Sequence, residues 1–187
     1  MKKISIILPV YNEADVIEKF SDELYSVLDS KADQYCFEVL YCLDKSNDGT
    51  KEIIKRICAA RKNAILISFS RRFGHQMSLV AGMDKCSGDA AIMMDCDLEH
   101  PPSVIPVLLE KFEQGFDIVH THRNYNKKVS IFKKATSNLY YRILSALSSV
   151  NLEEGSADFR LISRKCIDIF LILFVNKTNF YAACLNG

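Results

Sequence analysis

No stretch of this sequence is apolar for long enough to cross a bilayer. The longest such run, "IFLILFV" at 169–175, has seven residues, against the roughly 20 that a spanning helix needs, so no transmembrane helix is expected. A signal peptide is not expected either. Residues 1–10 open with two lysines and then read as a short strand ending at Pro9, without a long apolar region or a small-residue cleavage site, and export is not expected. The seven cysteines, at 36, 42, 58, 86, 96, 166 and 184, are odd in number and contain no C-x-x-C. That speaks against a disulfide framework or a standard zinc site and for a reducing cytosol. Neither sign of charge predominates, with 24 Lys and Arg against 23 Asp and Glu, so nucleic acid is not expected as a partner. No G-x-G-x-x-G follows the first strand-like run, where "PVYNE" stands instead, which argues against a dinucleotide-binding dehydrogenase. Internal repeats and low-complexity linkers are absent as well. What is present, 187 residues at 49% hydrophobic and 25% charged, suits one ordinary globular domain with a sizeable core.

The first 120 residues alternate strand-like and helix-like patterns. Strands are predicted at 3–8, 37–43, 64–69, 89–95 and 116–121, four of them nearly continuous apolar runs. Strands buried on both faces read this way, and their alternation with helices predicts an α/β fold with a mostly parallel sheet. A helix over about 14–29 aligns Val16, Ile17, Phe20, Leu24, Val27 and Leu28, with Asn12 or Glu13 near its start. Asp48 stands as N-cap before a second helix with Ile53, Ile54 and Ile57 on its buried stripe. Gly74 opens a third over about 75–86, and a fourth follows Pro101 and Pro102, holds Pro106 in its first turn and closes at Gly115.

Beyond the fourth strand, "MMDCDLEHPP" at 93–102 sets Asp95, Asp97 and Glu99 on alternate positions. On an extended chain Asp95 and Asp97 would share a face roughly 6.6 Å apart. Their repulsion, on the order of 2.5 kcal/mol at an effective dielectric near 20, calls for a nearby cation. Lys85, Arg71 and Arg72 are the nearest bases in sequence, but a hard divalent ion fits better. Mg²⁺ or Mn²⁺ takes one or two carboxylates and leaves its other positions to water and phosphate oxygens. A solvated acidic loop is the plain alternative. Ligands of open α/β sheets bind beyond the carboxyl ends of the strands, and "PVYNE", "DKSNDGT", "SRRFGHQ" and "DCDLEHPP" all fall there.

These loops, in this order, resemble glycosyltransferase family 2, and within it the polyprenyl-phosphate sugar transferases. The match runs from about residue 3 to 165, on "SIILPVYNE" at 5–13, "LDKSNDGT" at 43–50, "SRRFGHQMSLVAGMDKCSGDAAIMMDCDLEHPP" at 70–102 and "GSADFRLISRK" at 155–165. The resemblance implies a GT-A fold, Rossmann-like, with the catalytic domain at 1–165 and a divergent or truncated segment at 166–187. It also implies a nucleotide-diphosphate-sugar donor and Mg²⁺ or Mn²⁺. Pro9, Tyr11, Glu13 and Asp44 correspond to the nucleoside pocket, Asp95 to the nucleotide-sugar position, and Asp97 with Glu99 to the metal position. Glutamine is commoner than Glu99 in the family, and the oxygen donor is kept. The second block departs further, reading Leu43, Asp44, Lys45 where two aspartates and a glycine are usual, which bears on choice of base. Arg71, Arg72 and His75 bring positive potential near the diphosphate, with Arg71 assigned to the donor. Asp158, in "ADFR", matches an acceptor-side aspartate that positions the acceptor or serves as base; with Asp97 it makes the catalytic assignment.

Residues 123–148 place Ile131, Phe132, Ala135, Leu139, Tyr140, Ile143, Leu144 and Leu147 at helical spacing beside basic side chains. An interfacial helix near anionic lipid reads this way, and so does an ordinary surface helix. Under the resemblance, Arg123, Lys133 and Lys134 lie near the positions that hold the lipid phosphate. The reading is an inverting transferase moving a hexose from a UDP- or GDP-sugar to a polyprenyl phosphate, in peripheral contact with the inner, cytoplasmic face of the membrane. A saccharide acceptor and a non-catalytic nucleotide-sugar-binding remnant are the alternatives, and a homo-oligomer is left open. His120 and His122 are assigned structural roles, and Met77, Met83, Met93 and Met94 to the core.

Overall fold

A computed structural model of the chain describes residues 1–122 and 156–175. The helical stripe expected at 123–148, with Arg123, Lys133 and Lys134, lies outside the described residues. The elements run β1 (Lys2–Val10), α1 (Ile17–Asp29), β2 (Tyr35–Leu43), α2 (Thr50–Ala60), β3 (Ala64–Ser68), α3 (His75–Lys85) and β4 (Ala90–Met93). A 3₁₀ turn (Pro102–Val104), α4 (Ile105–Glu113), β5 (Ile118–His122), β6 (Ser156–Ser163) and α5 (Arg164–Val175) follow. Two units cluster separately, Met1–Val119 with Asp158–Gly187, and His120–Ala157. The candidate site belongs to the first.

The six strands are ordered β3-β2-β1-β4-β6-β5. β1 pairs in parallel with β2 (Ile6 opposite Val39) and with β4 (Ile6 opposite Ile92), and β2 pairs in parallel with β3. β6 runs antiparallel to β4, with Met93 opposite Arg160. The mostly parallel sheet expected from the apolar runs is present, and burial follows strand position. Ile4, Ile6, Ile7, Val39, Leu40 and Ile92 have no exposed surface, whereas Ile65 on the edge strand β3 is 42% exposed. An apolar run does not say whether its strand is central, and here that difference decides which isoleucines are dry.

β6 and α5 were not among the predicted elements. The signal for β6 was present in "ADFRLIS", where Phe159, Leu161 and Ser163 are buried and Arg160 and Ile162 between them are half-buried, the period of two of a strand. α5 drives Ile167 into the core against Leu79, Val80 and Met83 of α3. Arg164 fastens its start, donating from Nε to Gly88 O at 2.9 Å and from a terminal nitrogen to Cys86 O at 2.9 Å.

α3 lies unusually close to the sheet because Gly82 has no side chain. A Cβ there would overlap Ile7 Cγ2 and meet Cys42 Sγ at 3.0 Å. At the opposite end of the sheet from the polar loops, buried Glu38 gathers Ser5 Oγ at 2.6 Å, Lys3 Nζ at 2.7 Å, and Ser87 through both its N–H and its hydroxyl. This one carboxylate ties β1, β2 and the approach to β4 together.

Burial pushes the Glu38 carboxyl up, but the hydrogen bonds from Lys3, Ser5 and Ser87 outweigh it and hold the group at about 2, below its ordinary 4.5. A depressed folded-state pKa contributes stability that is present above the unfolded value and is lost as pH falls through the folded one. The difference is worth about 3 kcal/mol. Urea denaturation of Glu38→Gln should therefore show a smaller loss of stability than the wild type between about pH 5 and pH 2, and identical slopes would contradict this account of the network.

Candidate active site

β1 is the point where the chain reverses direction across the sheet, running outward through β2 and β3 and then returning to β4 on the other side of β1. The loops leaving the carboxyl ends of β1 and β4 part there and open a crevice, the usual ligand position in such sheets. A cavity of about 320 Å³ occupies it, within the range of small-molecule sites. Pro9 lines it from the end of β1, Tyr11 and Glu13 from the loop that follows, Asp44 from the residue after β2, Arg72 and His75 from the β3–α3 loop and α3, and Asp95 and Asp97 from the β4 loop. The four loops singled out in the sequence thus meet at one place.

Side chains lace the loops to one another. Asn12, in the left-handed region at φ 54°, donates its N–H to Ser46 Oγ at 3.0 Å and accepts from Asn47 N–H at 3.1 Å. Glu13 N–H donates to Thr50 Oγ1 at 2.9 Å and Ala14 N–H to Asp48 Oδ2 at 3.0 Å. Asp48 also accepts the Thr50 N–H and hydroxyl through Oδ1. It caps α2 as expected in kind, but from one residue further out, since Gly49 at φ 88° is the cap position. α1 begins at Ile17 with Val16 as its cap residue, later than expected.

Asp44 is 2% exposed, and its carboxylate faces backbone. Oδ1 accepts Lys45 N–H at 2.9 Å and Phe73 N–H at 3.0 Å, and Oδ2 accepts Gly74 N–H at 2.7 Å. Two of these donors lie at the start of α3, where a negative charge is favoured. Asp44 therefore holds the β3–α3 loop in place as well as lining the cavity. On that loop Arg72 stacks over Tyr11, its guanidinium carbon 4.2 Å from the ring centroid. Arg71 is not among the cavity-lining residues and sits 4.8 Å from the Phe73 centroid. The cavity arginine is the neighbour of the one assigned from the sequence, a distinction that two adjacent identical side chains could not reveal.

The acidic loop departs from the extended chain imagined for it, because β4 ends at Met93, two residues before Asp95. Alternation persists even so. Half-buried Asp95 and exposed Asp97 line the cavity on either side of buried Cys96. Cys96 donates its thiol to Pro9 O at 3.6 Å. Burial, with the nearby charges of Glu13, Asp95 and Asp97, pushes its pKa up, so it remains a neutral thiol. Asp95 Oδ1 lies 2.7 Å from His75 Nε2, so His75, at the start of α3, is joined to the acidic loop by a direct contact. Asp97 Oδ1 accepts Glu99 N–H at 2.9 Å, a turn helped by Leu98 at φ 64°. Glu99 is not among the lining residues.

Negative charge accumulates in the cavity. Burial, then the charges of Asp97, Asp48 and Asp95, push the Glu13 carboxyl above its ordinary range. Among the described residues no group of three His, Cys, Asp or Glu forms a ready-made metal cage. Carboxylates at this density nonetheless suit a hard cation that draws the rest of its ligands from water and phosphate. Asp158 lies on β6, with its side chain outside the described part. It stands two residues before Arg160, which pairs with Met93, the last residue of β4.

A mostly parallel sheet with helices around it and an acidic loop beyond β4 at the switch point is the GT-A arrangement. The profile described as Glycosyl transferase family 2 matches residues 5–170. The chain is 37% identical over 164 residues to the uncharacterized glycosyltransferase YkcC of Bacillus subtilis (strain 168), covering 88% of this chain and 50% of that one. It is 34% identical over 171 residues to the bactoprenol glucosyl transferase of Shigella phage SfV, covering 91% and 55%. Its fold matches glucosyl-3-phosphoglycerate synthase from Mycobacterium tuberculosis, solved with Mn²⁺, uridine diphosphate and phosphoglyceric acid, with TM-score 0.62, 20% identity, and 88% of this chain and 56% of that one covered. The chain belongs to glycosyltransferase family 2. It spans about half the length of the curated relatives it matches.

If Asp44 anchors the arginine loop, Asp44→Ala leaves the Phe73 and Gly74 N–H groups without their acceptor, a loss of about 1–3 kcal/mol for a buried donor. Hydrogen exchange at those two amides should accelerate at least tenfold. Unchanged protection would contradict the anchoring role.

Proposed function

We propose that this chain binds a UDP- or GDP-sugar in the β1–β4 crevice and is the catalytic part of an inverting glycosyltransferase that passes a hexose to a polyprenyl phosphate. The observation that carries the reading is the gathering of Glu13, Asp95 and Asp97 with Arg72 around one cavity at the switch point of the sheet. Likeness to the bactoprenol glucosyl transferase of phage SfV supports the acceptor.

In this reading Pro9, Tyr11, Glu13 and Asp44 frame the nucleoside, and Asp95, braced by His75, orients the donor. Asp97, with Glu99 beside it, would hold Mg²⁺ or Mn²⁺, and a divalent ion bound there supplies Lewis-acid stabilisation of the departing diphosphate. Arg72 adds positive charge that is already in place before the reaction. An oxygen of the acceptor phosphate bonds to the anomeric carbon as the bond to the nucleoside diphosphate breaks on the opposite face, which inverts the configuration. A phosphate oxygen is a nucleophile at neutral pH and asks little of a base, so Asp158 acts chiefly by positioning the acceptor.

Arg123, Lys133 and Lys134 are proposed to hold the lipid phosphate at the cytoplasmic face of the membrane. Among the described residues, no helix is long and apolar enough to cross a membrane.

With a short-chain polyprenyl phosphate and a UDP- or GDP-hexose, transfer should occur in Mn²⁺ or Mg²⁺ and fall about a hundredfold in Asp97→Ala. Preference for a saccharide acceptor would overturn the lipid assignment, and donor binding without transfer or hydrolysis would overturn catalysis. Replacing Lys133 and Lys134 by Glu should weaken association with anionic liposomes at low salt. Undiminished association would remove the membrane contact.

A further inference from the structure

Two side-chain-to-backbone bonds cross-link the acidic loop between the end of β4 and the 3₁₀ turn, Asp97 Oδ1 accepting the Glu99 N–H and His100 Nδ1 accepting the Asp95 N–H. The second spans the whole acidic stretch, with His100 Nδ1 accepting the Asp95 N–H at 3.0 Å. His100 is 4% exposed, and its ring lies 5.5 Å from that of Phe159 on β6, tilted by 37°. It is thus fixed from behind by the strand that carries Asp158.

We propose that His100 is a positioning residue, whose Nδ1 closes the 95–100 loop and holds Asp95 and Asp97 in the arrangement that takes the metal and the donor. The inference rests on the donor-site reading above. An imidazole nitrogen that accepts an N–H carries no proton, so the ring is the neutral tautomer protonated at Nε2. The approach of Asp95 Oδ2 to Nδ1 at 3.5 Å is then a close contact and no ion pair, since the shorter bond already uses the nitrogen's lone pair. His100 serves here as an acceptor of fixed geometry. Asp95 is consequently held twice, its backbone by His100 and its carboxylate by His75 at 2.7 Å.

Two substitutions separate the nitrogen from the ring. His100→Asn places an amide oxygen one bond beyond Cγ, where Nδ1 stands, and gives up the ring. His100→Phe keeps the ring and its packing on Phe159 but has no acceptor. Binding of UDP and GDP in Mn²⁺, measured by calorimetry, should weaken at least tenfold in His100→Phe and stay within about threefold of wild type in His100→Asn, because only the Asn variant keeps an acceptor that holds the Asp95 N–H in place. Wild-type affinity in the Phe variant, or a tenfold loss in a folded Asn variant, would overturn the proposal. Amide exchange decides it independently of any ligand. The Asp95 and Glu99 amides should exchange faster in the Phe variant and not in the Asn variant, and the reverse pattern, or no change in either, would refute it. Absence of Mn²⁺-dependent binding by the wild type would instead count against the donor-site reading, with the exchange data still deciding the role of His100.

Discussion

The candidate site is held in place by one buried carboxylate. Asp44 sits at the end of β2 and accepts N–H groups from the chain entering α3. A buried charge in the middle of a fold is costly unless it is matched by donors, and here the donors come from the segment that the site needs fixed. The β3–α3 loop is thereby brought beside the β1 loop, Arg72 reaches Tyr11, and His75 reaches Asp95. Close packing of α3 at Gly82 against Ile7 and Cys42 supports the same placement from the sheet side. Rigid strands set where the loops begin, and a few side-chain-to-backbone bonds set where they go.

What results is a crevice with an imbalance of charge. Glu13, Asp44, Asp95 and Asp97 face it, and Arg72 and His75 are the basic side chains among its lining residues. Burial first, and then the charges of Asp97, Asp48 and Asp95, raise the Glu13 carboxyl above its ordinary range. Such an arrangement costs stability on its own, a common trade at functional sites. The same logic explains why the acidic loop is tied down by side chains at 97 and 100. Strand pairing would bury the carboxylates, and a loose loop would let them drift apart.

Much of this was legible in the sequence. Apolar runs gave the parallel strands, and the polar stretches between them gave the four loops that meet in the crevice, because strand direction alone carries those loops to one edge. Three features were not legible. β6 was hidden by its place after a long intervening segment, although Phe159 and Leu161 alternate with half-buried neighbours as a strand should. The choice of Arg72 over Arg71 depends on which way one loop residue turns, and no local pattern sets that. Likewise Glu99 keeps the acidic alternation of Asp95 and Asp97 in the sequence, yet a turn at Leu98 breaks the extended chain on which that alternation relied.

The central claim is that the carboxylates of the β4 loop bind a divalent ion together with a nucleoside diphosphate. Calorimetric titration of UDP and GDP into the wild-type protein and into Asp97→Ala, in Mn²⁺ and in EDTA, tests it most directly. The account predicts binding of one of the two nucleotides by the wild type in Mn²⁺ alone, lost in EDTA and in the variant. Equal affinity with and without metal, or in the absence of Asp97, would contradict it.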